Sequence, residues 1–430
     1  MNYQDRLLKA IPGGAHTYSR GYDQYPLNAP QILKRGSGAY IYDENENKFL
    51  DYGMALRAVN LGYANSEINQ AAIEQIDYGN NLTKPSLIEL EAAELLIDTI
   101  DSIDMVKFTK NGSTATTAAI KLSRAYTGRE MVVRCEEHPF FSYDDWFIGS
   151  TSITKGIQKK DIDNTKLFNY NDIESLEKVF DKYPNQIACV ILEPSTTEHP
   201  KDDFLHKVQA LCKKNGAVFI LDEMITGFRW HLKGAQHYYN IEPDLCTFGK
   251  AMANGFSVAT VAGKREIMEL GSIEKKGQER LFLLSTTHGA EMSGLGAFVE
   301  SIKFIKNNGV IEHIWDYGKK LINLMNEMAL KYGIEKNFIA GGVECSPYYL
   351  TFDKNGNNSL GLRTLFAQEM IKNGVMIPWI AISYAHNDKE LELTKKALAK
   401  TFEVYKKAVE DGYENYLLGD VIKPVFRKYN

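Results

Sequence analysis

Residues 216–223 read GAVFILDE, and this stretch decides the class of the fold. An uninterrupted apolar run of this length is typical of a strand buried on both faces, as the strands of parallel sheets are. The run ends in Asp222 and Glu223, at the carboxyl edge where open α/β sheets bind their ligands. A buried carboxylate costs several kcal/mol unless it is paired. Asp222 is therefore either a functional anion or an ordinary strand-end residue that caps a turn or forms a structural ion pair.

The neighbouring segments repeat this pattern, and together they predict a mostly parallel sheet covered by helices. Further short apolar runs lie at residues 105–109, 131–135 and 186–193. Helices are expected between these strands. Two of them are expected to end at Gly128 and Gly216. Alternation of short strands with helices is characteristic of the α/β class.

The length of 430 residues is enough for two to three domains. We expect the large α/β domain at residues 66–295. The N-terminal segment, residues 1–65, carries a hairpin pattern at residues 39–53. We expect it to join the mostly helical C-terminal segment, residues 296–430, in a smaller α+β domain and to contribute to the substrate mouth.

The composition argues against several classes of protein. Apolar residues make up 44% and charged residues 24% of the chain, which is an ordinary globular composition. The net charge of −5, from 50 Lys and Arg against 55 Asp and Glu, argues against nucleic acid or an anionic membrane as a partner. The longest stretch without a charged side chain, residues 373–387, contains Pro378 and cannot span a bilayer.

The cysteines and the N-terminal residues indicate a cytoplasmic protein. The five cysteines are scattered, mostly in apolar surroundings, and are interpreted as reduced core thiols. The first residues contain no seven-residue apolar run of the kind that a signal peptide needs. No two histidines have the spacing of a metal site, so no metal is expected.

A second informative stretch, residues 243–255, reads PDLCTFGKAMANG and places Lys250 among small, nearly uncharged residues. Desolvation in such a setting favours the neutral amine and suits a lysine to forming a Schiff base. A surface lysine in a loop is the ordinary alternative.

A third stretch has the strand–turn–helix pattern MVKFT-KNGS-TATTAAIKL, residues 105–122. Gly112, Ser113 and Thr114 stand where the helix begins. The unpaired amides and the dipole of a helix N-terminus bind phosphate, and two hydroxyl groups add donors. Plain N-capping by Ser113 is the alternative.

A fourth stretch, EEHPFFSYDDWFIG at residues 136–149, is rich in aromatic residues. One of these rings could stack on a flat cofactor, although core packing explains such clusters more often. The four stretches together meet the needs of pyridoxal phosphate: an amine for its aldehyde, an anion beside its ring nitrogen, a phosphate cradle and a stacking ring. Their joint occurrence is far more specific than any one of them.

These motifs resemble a known family. The pair ILDEMITGFR and PDLCTFGKAMANG is similar to the signature of class III (subgroup II) aminotransferases, and the opening IPGGAHTYSR resembles the aminomutase branch of that family. The resemblance covers about residues 10–405. It implies fold type I, a large domain with a mostly parallel central sheet, and pyridoxal 5′-phosphate as the cofactor.

The resemblance also implies catalytic roles. Lys250 would bind the cofactor covalently and then carry a proton between substrate and cofactor, and Asp222 would pair with the pyridine nitrogen. The phosphate would be held by Gly112, Ser113 and Thr114.

Further cofactor contacts follow from the same resemblance. Phe140 would stack on the ring, and Glu193 would lie near it, unless Glu193 is a structural strand-end residue. Thr286, with Thr287 adjacent, would reach the phosphate from the neighbouring subunit. A homodimer with shared active sites is therefore implied by the resemblance alone.

The N-terminal segment would bind the substrate. Thr17 and Arg20 fall where the aminomutase branch has its substrate-binding Ser and Arg, and a guanidinium suits a carboxylate. A solvated loop arginine is the alternative for Arg20. Arg57 adds a second cation, because Leu56 and Arg57 replace the usual tryptophan region of the aminomutases.

Two further departures from the aminomutases favour transfer between molecules. The segment after the aromatic cluster is shorter than their gating loop, and the glutamate they carry before the positions of Ser383 and His386 is missing. We therefore expect an aminotransferase that acts on a small-molecule amino donor, such as L-glutamate, and a carbonyl acceptor. Two cations and a short lid suggest a polar anionic acceptor, such as a sugar or sugar acid of surface-polysaccharide synthesis. Intramolecular transfer of the glutamate-1-semialdehyde aminomutase type and a non-catalytic cofactor-binding protein remain as alternatives.

Overall fold

Two compact units make up the chain, and the computed structural model describes residues 2–430. The central unit is Ser66–Ile311, and the terminal unit combines residues 2–65 with Glu312–Asn430. The boundary expected between residues 295 and 296 falls inside a helix of the central unit, Met292–Asn307. The chain returns to the terminal unit only after Ile311.

The strands are short, as expected for a sheet covered by helices. In chain order they are β1 (Leu33–Ser37), β2 (Tyr40–Asp43), β3 (Lys48–Asp51), β4 (Met105–Thr109), β5 (Met131–Cys135), β6 (Thr165–Phe168), β7 (Ile187–Leu192), β8 (Val218–Asp222), β9 (Leu245–Phe248), β10 (Ala259–Gly263), β11 (Phe338–Val343), β12 (Ser346–Thr351) and β13 (Val375–Met376).

The helices range from single turns to segments of more than twenty residues. They are α1 (Tyr3–Ala10), α2 (Met54–Arg57), α3 (Ser66–Asp77), α4 (Leu87–Thr99), α5 (Gly112–Thr127), α6 (Asp145–Ile148), α7 (Lys159–Asn164), α8 (Ile173–Lys182), α9 (Phe204–Asn215), α10 (Gly234–Tyr238), α11 (Arg265–Met268), α12 (Met292–Asn307), α13 (Val310–Tyr332), α14 (Leu360–Lys372) and α15 (Asp388–Asp411).

The central unit is built on a seven-stranded sheet with the order β4-β10-β9-β8-β7-β5-β6. Strands β9, β8, β7, β5 and β6 run parallel, whereas β10 is antiparallel to both β9 and β4. Every residue of β7 and β8 is buried, as their uninterrupted apolar sequences predict. The α/β class and the mostly parallel sheet are therefore confirmed.

Strand β10 reverses direction because of a sharp turn after Lys250. Asn254 and Gly255 both have positive φ angles, of 44° and 95°, and they turn the chain back along β9. The sequence analysis did not predict β9 or β10. Strand β9 has only four residues, and β10 consists largely of small residues with weak strand preference.

The terminal unit has an α+β architecture. The expected hairpin is present as the antiparallel pair β2 and β3, and β1 extends it on one side. On the other side β13 pairs with β3 in parallel, which joins the two ends of the chain in one four-stranded sheet. Strands β11 and β12 form a separate two-stranded sheet.

Candidate active site

Asp222 ends β8 and is held rigidly by its surroundings. The residue is 2% exposed, and Oδ1 accepts hydrogen bonds from the Met224 amide at 2.9 Å and from Thr247 Oγ1 at 3.1 Å. Burial raises the pKa of Asp222 to about 6, while the Lys250 cation and these hydrogen bonds act in the opposite direction. A fixed, buried anion whose charge is only partly compensated is suited to hold a proton on a ligand nitrogen.

Lys250 follows β9, whose Thr247 pairs with Asp222 in the sheet, and its cation is the strongest factor that lowers the pKa of that carboxyl group. It begins the short 3₁₀ turn Lys250–Ala253 directly after β9, with a positive φ of 46° that is unusual for a residue with a side chain. Gly249 precedes it, and a Cβ at that position would lie 2.6 Å from Met224 Sδ. A side chain at position 249 would therefore require the buried Met224 side chain to move.

The N-terminus of α5 has the geometry of an anion cradle. Asn111, and not Ser113, is the N-cap: its side chain accepts from the Thr114 amide at 2.9 Å and from Thr114 Oγ1 at 3.1 Å. Within residues 2–430 the amides of Gly112 and Ser113 have no acceptor. Two open amides at the start of a 16-residue helix suit a phosphate group.

Gly112 lies close to the same methionine as Gly249. A Cβ on Gly112 would lie 2.9 Å from Met224 Sδ. Met224 is 7% exposed and packs with Ala115 and Ala259 in a small buried cluster. Gly112 of the cradle and Gly249, which precedes Lys250, therefore both lie against the side chain of Met224, two residues after Asp222. This arrangement fits a flat cofactor with a phosphate at one end and a protonated ring nitrogen at the other.

The aromatic segment after β5 lies next to this cradle. The Tyr143 amide donates to Ser113 Oγ at 3.1 Å, and Thr116 Oγ1 donates to the Phe141 carbonyl at 2.9 Å. Phe140 is 48% exposed, and its ring lies edge-to-face with that of Phe147, with ring centroids 5.6 Å apart.

Glu193 follows β7 at the same edge of the sheet and is 3% exposed. Its amide donates to Nδ1 of His138 at 2.9 Å. Glu223, the second acid of the β8 exit, is structural: its carboxylate accepts four hydrogen bonds, from Thr226, the Ala235 amide, and the amide and side chain of Gln236. It anchors the start of α10.

Thr286 and Thr287 lie in an irregular segment before α12, and both side chains are exposed. The Thr286 carbonyl accepts from the Gly289 amide at 3.1 Å, and the Thr287 carbonyl accepts from Asn81 Nδ2 at 3.1 Å. Both residues thus lie at the surface of the central unit.

The predicted substrate residues belong to the terminal unit. Arg20 lines a cavity of about 750 Å³ there, together with Tyr22, Tyr25, Leu56 and Trp379. Within residues 2–430 the Arg20 guanidinium has no hydrogen-bond or ion-pair partner. Neither Thr17 nor Arg57 lines this cavity. The Thr17 carbonyl accepts from the Arg20 amide at 2.9 Å.

The turn that carries Arg57 is strained, which the sequence analysis did not anticipate. All four residues of α2, Met54–Arg57, have positive φ angles between 40° and 67°, so the turn is left-handed. The buried Asp51 carboxylate holds it by accepting from the Gly53 amide at 2.7 Å, the Met54 amide at 3.0 Å and Tyr63 OH at 2.6 Å. Strain of this kind concentrates at functional sites. The missed signal is Asp51 itself, an acid that, like Asp222, ends a strand, although only the last two residues of β3 are buried.

Other classes of site find no support in the described part of the chain. No group of three or more His, Cys, Asp and Glu side chains in residues 2–430 is placed to hold a metal ion. All five cysteines are buried, and none of them forms a disulfide within residues 2–430. Helices long and apolar enough to cross a membrane are absent from residues 2–430.

Comparison with known proteins places this site in a family. The family model described as Aminotransferase class-III matches residues 18–378. Among the relatives, the glutamate-1-semialdehyde 2,1-aminomutase of Francisella philomiragia is 31% identical over 419 residues, which cover 90% of this chain and 95% of the relative. The enzyme of the same name from Wigglesworthia glossinidia brevipalpis is 32% identical over 428 residues, covering 93% of this chain and 97% of the relative.

Solved structures share the fold. The PLP internal aldimine form of the Sphingopyxis sp. MTA144 FumI protein superposes with a TM-score of 0.86 at 25% identity, covering 95% of this chain and 96% of the other. A glutamate-1-semialdehyde-aminomutase from Pseudomonas aeruginosa PAO1 has a TM-score of 0.81 at 18% identity, with 94% of each chain covered. These likenesses confirm the fold type I architecture expected from the sequence.

Proposed function

Because this chain belongs to the class-III aminotransferase family, we propose that it is a pyridoxal-phosphate-dependent aminotransferase. It moves an amino group from an amino donor, such as L-glutamate, to a carbonyl acceptor. The observation that carries the proposal is the pair formed by Asp222 and Lys250, which leave neighbouring parallel strands at one edge of the sheet.

Pyridoxal phosphate supplies an aldehyde that links to amines and a ring that withdraws electrons from the reacting carbon. Lys250 would hold the cofactor aldehyde through Nζ and, once the incoming amine has displaced Nζ from it, the freed amine would move a proton at the substrate carbon. Asp222 holds a proton on the pyridine nitrogen, and the hydrogen bonds from Met224 and Thr247 fix its orientation. A cationic ring nitrogen beside Asp222 also supplies the partner that a buried carboxylate needs.

The remaining cofactor contacts follow from the same geometry. Gly112 and Ser113 bind the phosphate through their open amides. The Thr114 hydroxyl donates to Asn111 Oδ1 in the unliganded chain and turns to the phosphate at the same helix end when the cofactor binds. Phe140, which is about half exposed, stacks on the ring. Glu193 lies one strand away from Asp222, since Leu192 pairs with Leu221 in the sheet.

The family resemblance supports a homodimer in which Thr286 and Thr287 of one subunit reach the phosphate bound by the other. Their exposed position at the surface of the central unit is compatible with that role.

The acceptor is expected to be anionic. Arg20 provides a cation without a protein partner in the wall of a cavity of about 750 Å³, large enough for a substrate well above the size of an amino acid. Its tyrosine and tryptophan lining suits a sugar or a sugar acid. Thr17 and Arg57 are proposed to assist from the neighbouring turns.

A second candidate is intramolecular transfer, as in an aminomutase. The names of the Francisella and Wigglesworthia relatives favour it. The missing glutamate before Ser383 and the altered Leu56–Arg57 region argue for transfer between molecules.

The deciding experiment records the visible absorbance of the purified protein before and after addition of L-glutamate. Loss of the cofactor band with stoichiometric release of 2-oxoglutarate supports the aminotransferase. A band that ignores glutamate but responds to a diamine or an amino-aldehyde analogue supports the aminomutase. Lys250→Ala is the matched control: it must bind cofactor without the lysine-linked band. A wild type that binds pyridoxal phosphate but turns over neither kind of substrate would support the non-catalytic alternative.

A further inference from the structure

His138 occupies a position in the central unit to which the proposed reaction assigns no role. It follows β5 by three residues, at the carboxyl edge shared by β5, β7 and β8, which are neighbours in the sheet. His138, Glu193 and Asp222 therefore leave three adjacent parallel strands at the same edge. Only the last two have been placed at the cofactor.

The hydrogen bonding of His138 fixes one tautomer. Its side chain is buried, and Nδ1 accepts the Glu193 amide at 2.9 Å. An imidazole nitrogen that accepts cannot carry a proton, so the hydrogen resides on Nε2. Burial also lowers the pKa of His138 to about 3, so the ring stays neutral at physiological pH.

The Nε2–H group is a buried donor that finds no acceptor within residues 2–430. Its nearest ring neighbours are Tyr170, at 5.2 Å between centroids, and Phe141, at 5.9 Å. The Tyr170 hydroxyl donates instead to the Pro194 carbonyl at 2.6 Å. A donor left unpaired inside a protein is costly, and in native proteins such groups usually meet a ligand or an ordered water.

The segment that begins at His138 leads to the candidate cofactor site. Residues 138–143 run from the strand edge to the start of α5, where the Tyr143 amide donates to Ser113 Oγ. Phe140, the candidate stacking ring, lies in the middle of this segment. One end of the segment is thus fixed at Glu193 and the other at the anion cradle.

We propose that His138 is a positioning residue that also donates its Nε2–H to an oxygen of the bound cofactor. Nδ1 holds the main chain of Glu193, and together with Tyr170 it fixes the exit of β7. Nε2 then acts as a pH-independent donor, since no proton needs to be gained or lost in the working range. This inference rests on the proposed use of pyridoxal phosphate.

Two substitutions separate the two nitrogens. His138→Asn places an amide oxygen near the position of Nδ1 and removes the donor at Nε2. His138→Gln places an amide nitrogen near Nε2 and loses the acceptor for Glu193. The probe is pyridoxamine 5′-phosphate added to the full-length apoprotein, because it binds without a covalent link to Lys250.

We expect His138→Asn to keep the apoprotein melting temperature and to raise the Kd for pyridoxamine phosphate about tenfold, the equivalent of one hydrogen bond. We expect His138→Gln to keep a Kd close to wild type and to melt at a lower temperature. An unchanged Kd in His138→Asn would overturn the proposal.

A measurement on the wild type keeps the test independent of variant folding. Histidine-selective ¹⁵N labelling should show the Nε2–H tautomer of His138 between pH 5 and pH 8, and its Nε2 resonance should shift on addition of pyridoxamine phosphate. Inorganic phosphate alone distinguishes a phosphate oxygen from a ring oxygen as the acceptor. No shift with either probe would overturn the proposal. A wild type that does not bind pyridoxamine phosphate at all would instead overturn the proposed function.

Discussion

Replacing Asp222 by Asn should make the apoprotein more stable and the enzyme nearly inactive. Both hydrogen bonds to Asp222 end on Oδ1. Asn therefore keeps them and removes only the buried charge. The folded carboxyl group has a pKa of about 6, against 3.8 for the free group. At 1.36 kcal/mol per pKa unit this difference corresponds to a gain of up to about 3 kcal/mol at pH 8.

The gain must depend on pH with a definite sign. Because the pKa is raised in the folded state, folded protein retains a proton that the unfolded chain has lost, and wild-type stability falls as the pH rises from about 4 to 6. The advantage of Asp222→Asn should be about 3 kcal/mol at pH 8 and about half of that at pH 5. Thermal melting of both apoproteins at the two pH values measures it.

Addition of pyridoxal phosphate should reverse the order of stability of wild type and Asp222→Asn. A protonated ring nitrogen pairs with the carboxylate but not with an amide, so the cofactor should raise the melting temperature of wild type more than that of Asp222→Asn. Turnover by Asp222→Asn should be about 100-fold or more below that of wild type. An apoprotein of Asp222→Asn that is less stable than wild type at pH 8 would refute the reasoning.

The adjacent acid supplies the control. Glu223 uses both carboxylate oxygens, Oε1 for Gln236 and Oε2 for Thr226 and Ala235. In Glu223→Gln an amide NH₂ would face buried donors, so this variant should lose about 3 kcal/mol or more. Two neighbouring acid-to-amide substitutions should thus change stability in opposite directions.

Three further outcomes are expected. Gly249→Ala should lower both stability and turnover, since its Cβ would lie 2.6 Å from Met224 Sδ. The additional substitution Met224→Ala should restore both. Thermal melting and the glutamate-dependent change in absorbance measure the two effects. Between pH 7 and pH 5 the free energy of unfolding, measured by chemical denaturation, should fall by about 2 kcal/mol more in wild type than in His138→Gln. The reason is that the pKa of His138 is about 3 in the folded state, against 6.5 for the free group, so the stability of wild type falls as the pH drops below 6.5. Equal losses in the two proteins would contradict this. Ala55→Gly in the left-handed turn should leave the melting temperature unchanged or raised, whereas Ala125→Gly in α5 should lower it, since Gly relieves strain only where φ is positive. Equal losses in the two alanine variants would mean that the turn is not strained.

Local patterns predicted much of the central unit. The strands β4, β5, β7 and β8 and the helices α5 and α9 lie close to where the sequence places them, because each combines a strong apolar pattern with a clear stop signal. Strands β9 and β10 were not predicted because they are short and built partly from small residues. Their pairing depends on the sharp turn after Lys250 and on the strands beside them.

The candidate site was only partly predictable in the same way. Asp222, Lys250 and the start of α5 could be found because they stand at the ends of recognisable elements. The role of His138 could not be found, since its partner is distant in sequence. The left-handed turn that Asp51 holds could not be found either, since no pattern reveals that backbone conformation. Glu193 lies 55 residues from His138 in the sequence. Trp379, whose indole donates to the Gly53 carbonyl beside the turn, lies 326 residues after Gly53.

The sequence by itself determined the α/β class, the family and the chemical groups available for the reaction, because buried strands and helix starts leave local signatures of apolarity and capping. Only the tertiary structure decided that Asn111 caps α5 and so leaves the amides of Gly112 and Ser113 open. It also decided that Met224 closes on both Gly112 and Gly249, and that one nitrogen of His138 is bound while the other is not. The physical reason is that hydrogen-bond saturation and close packing are properties of groups brought together from distant parts of the chain.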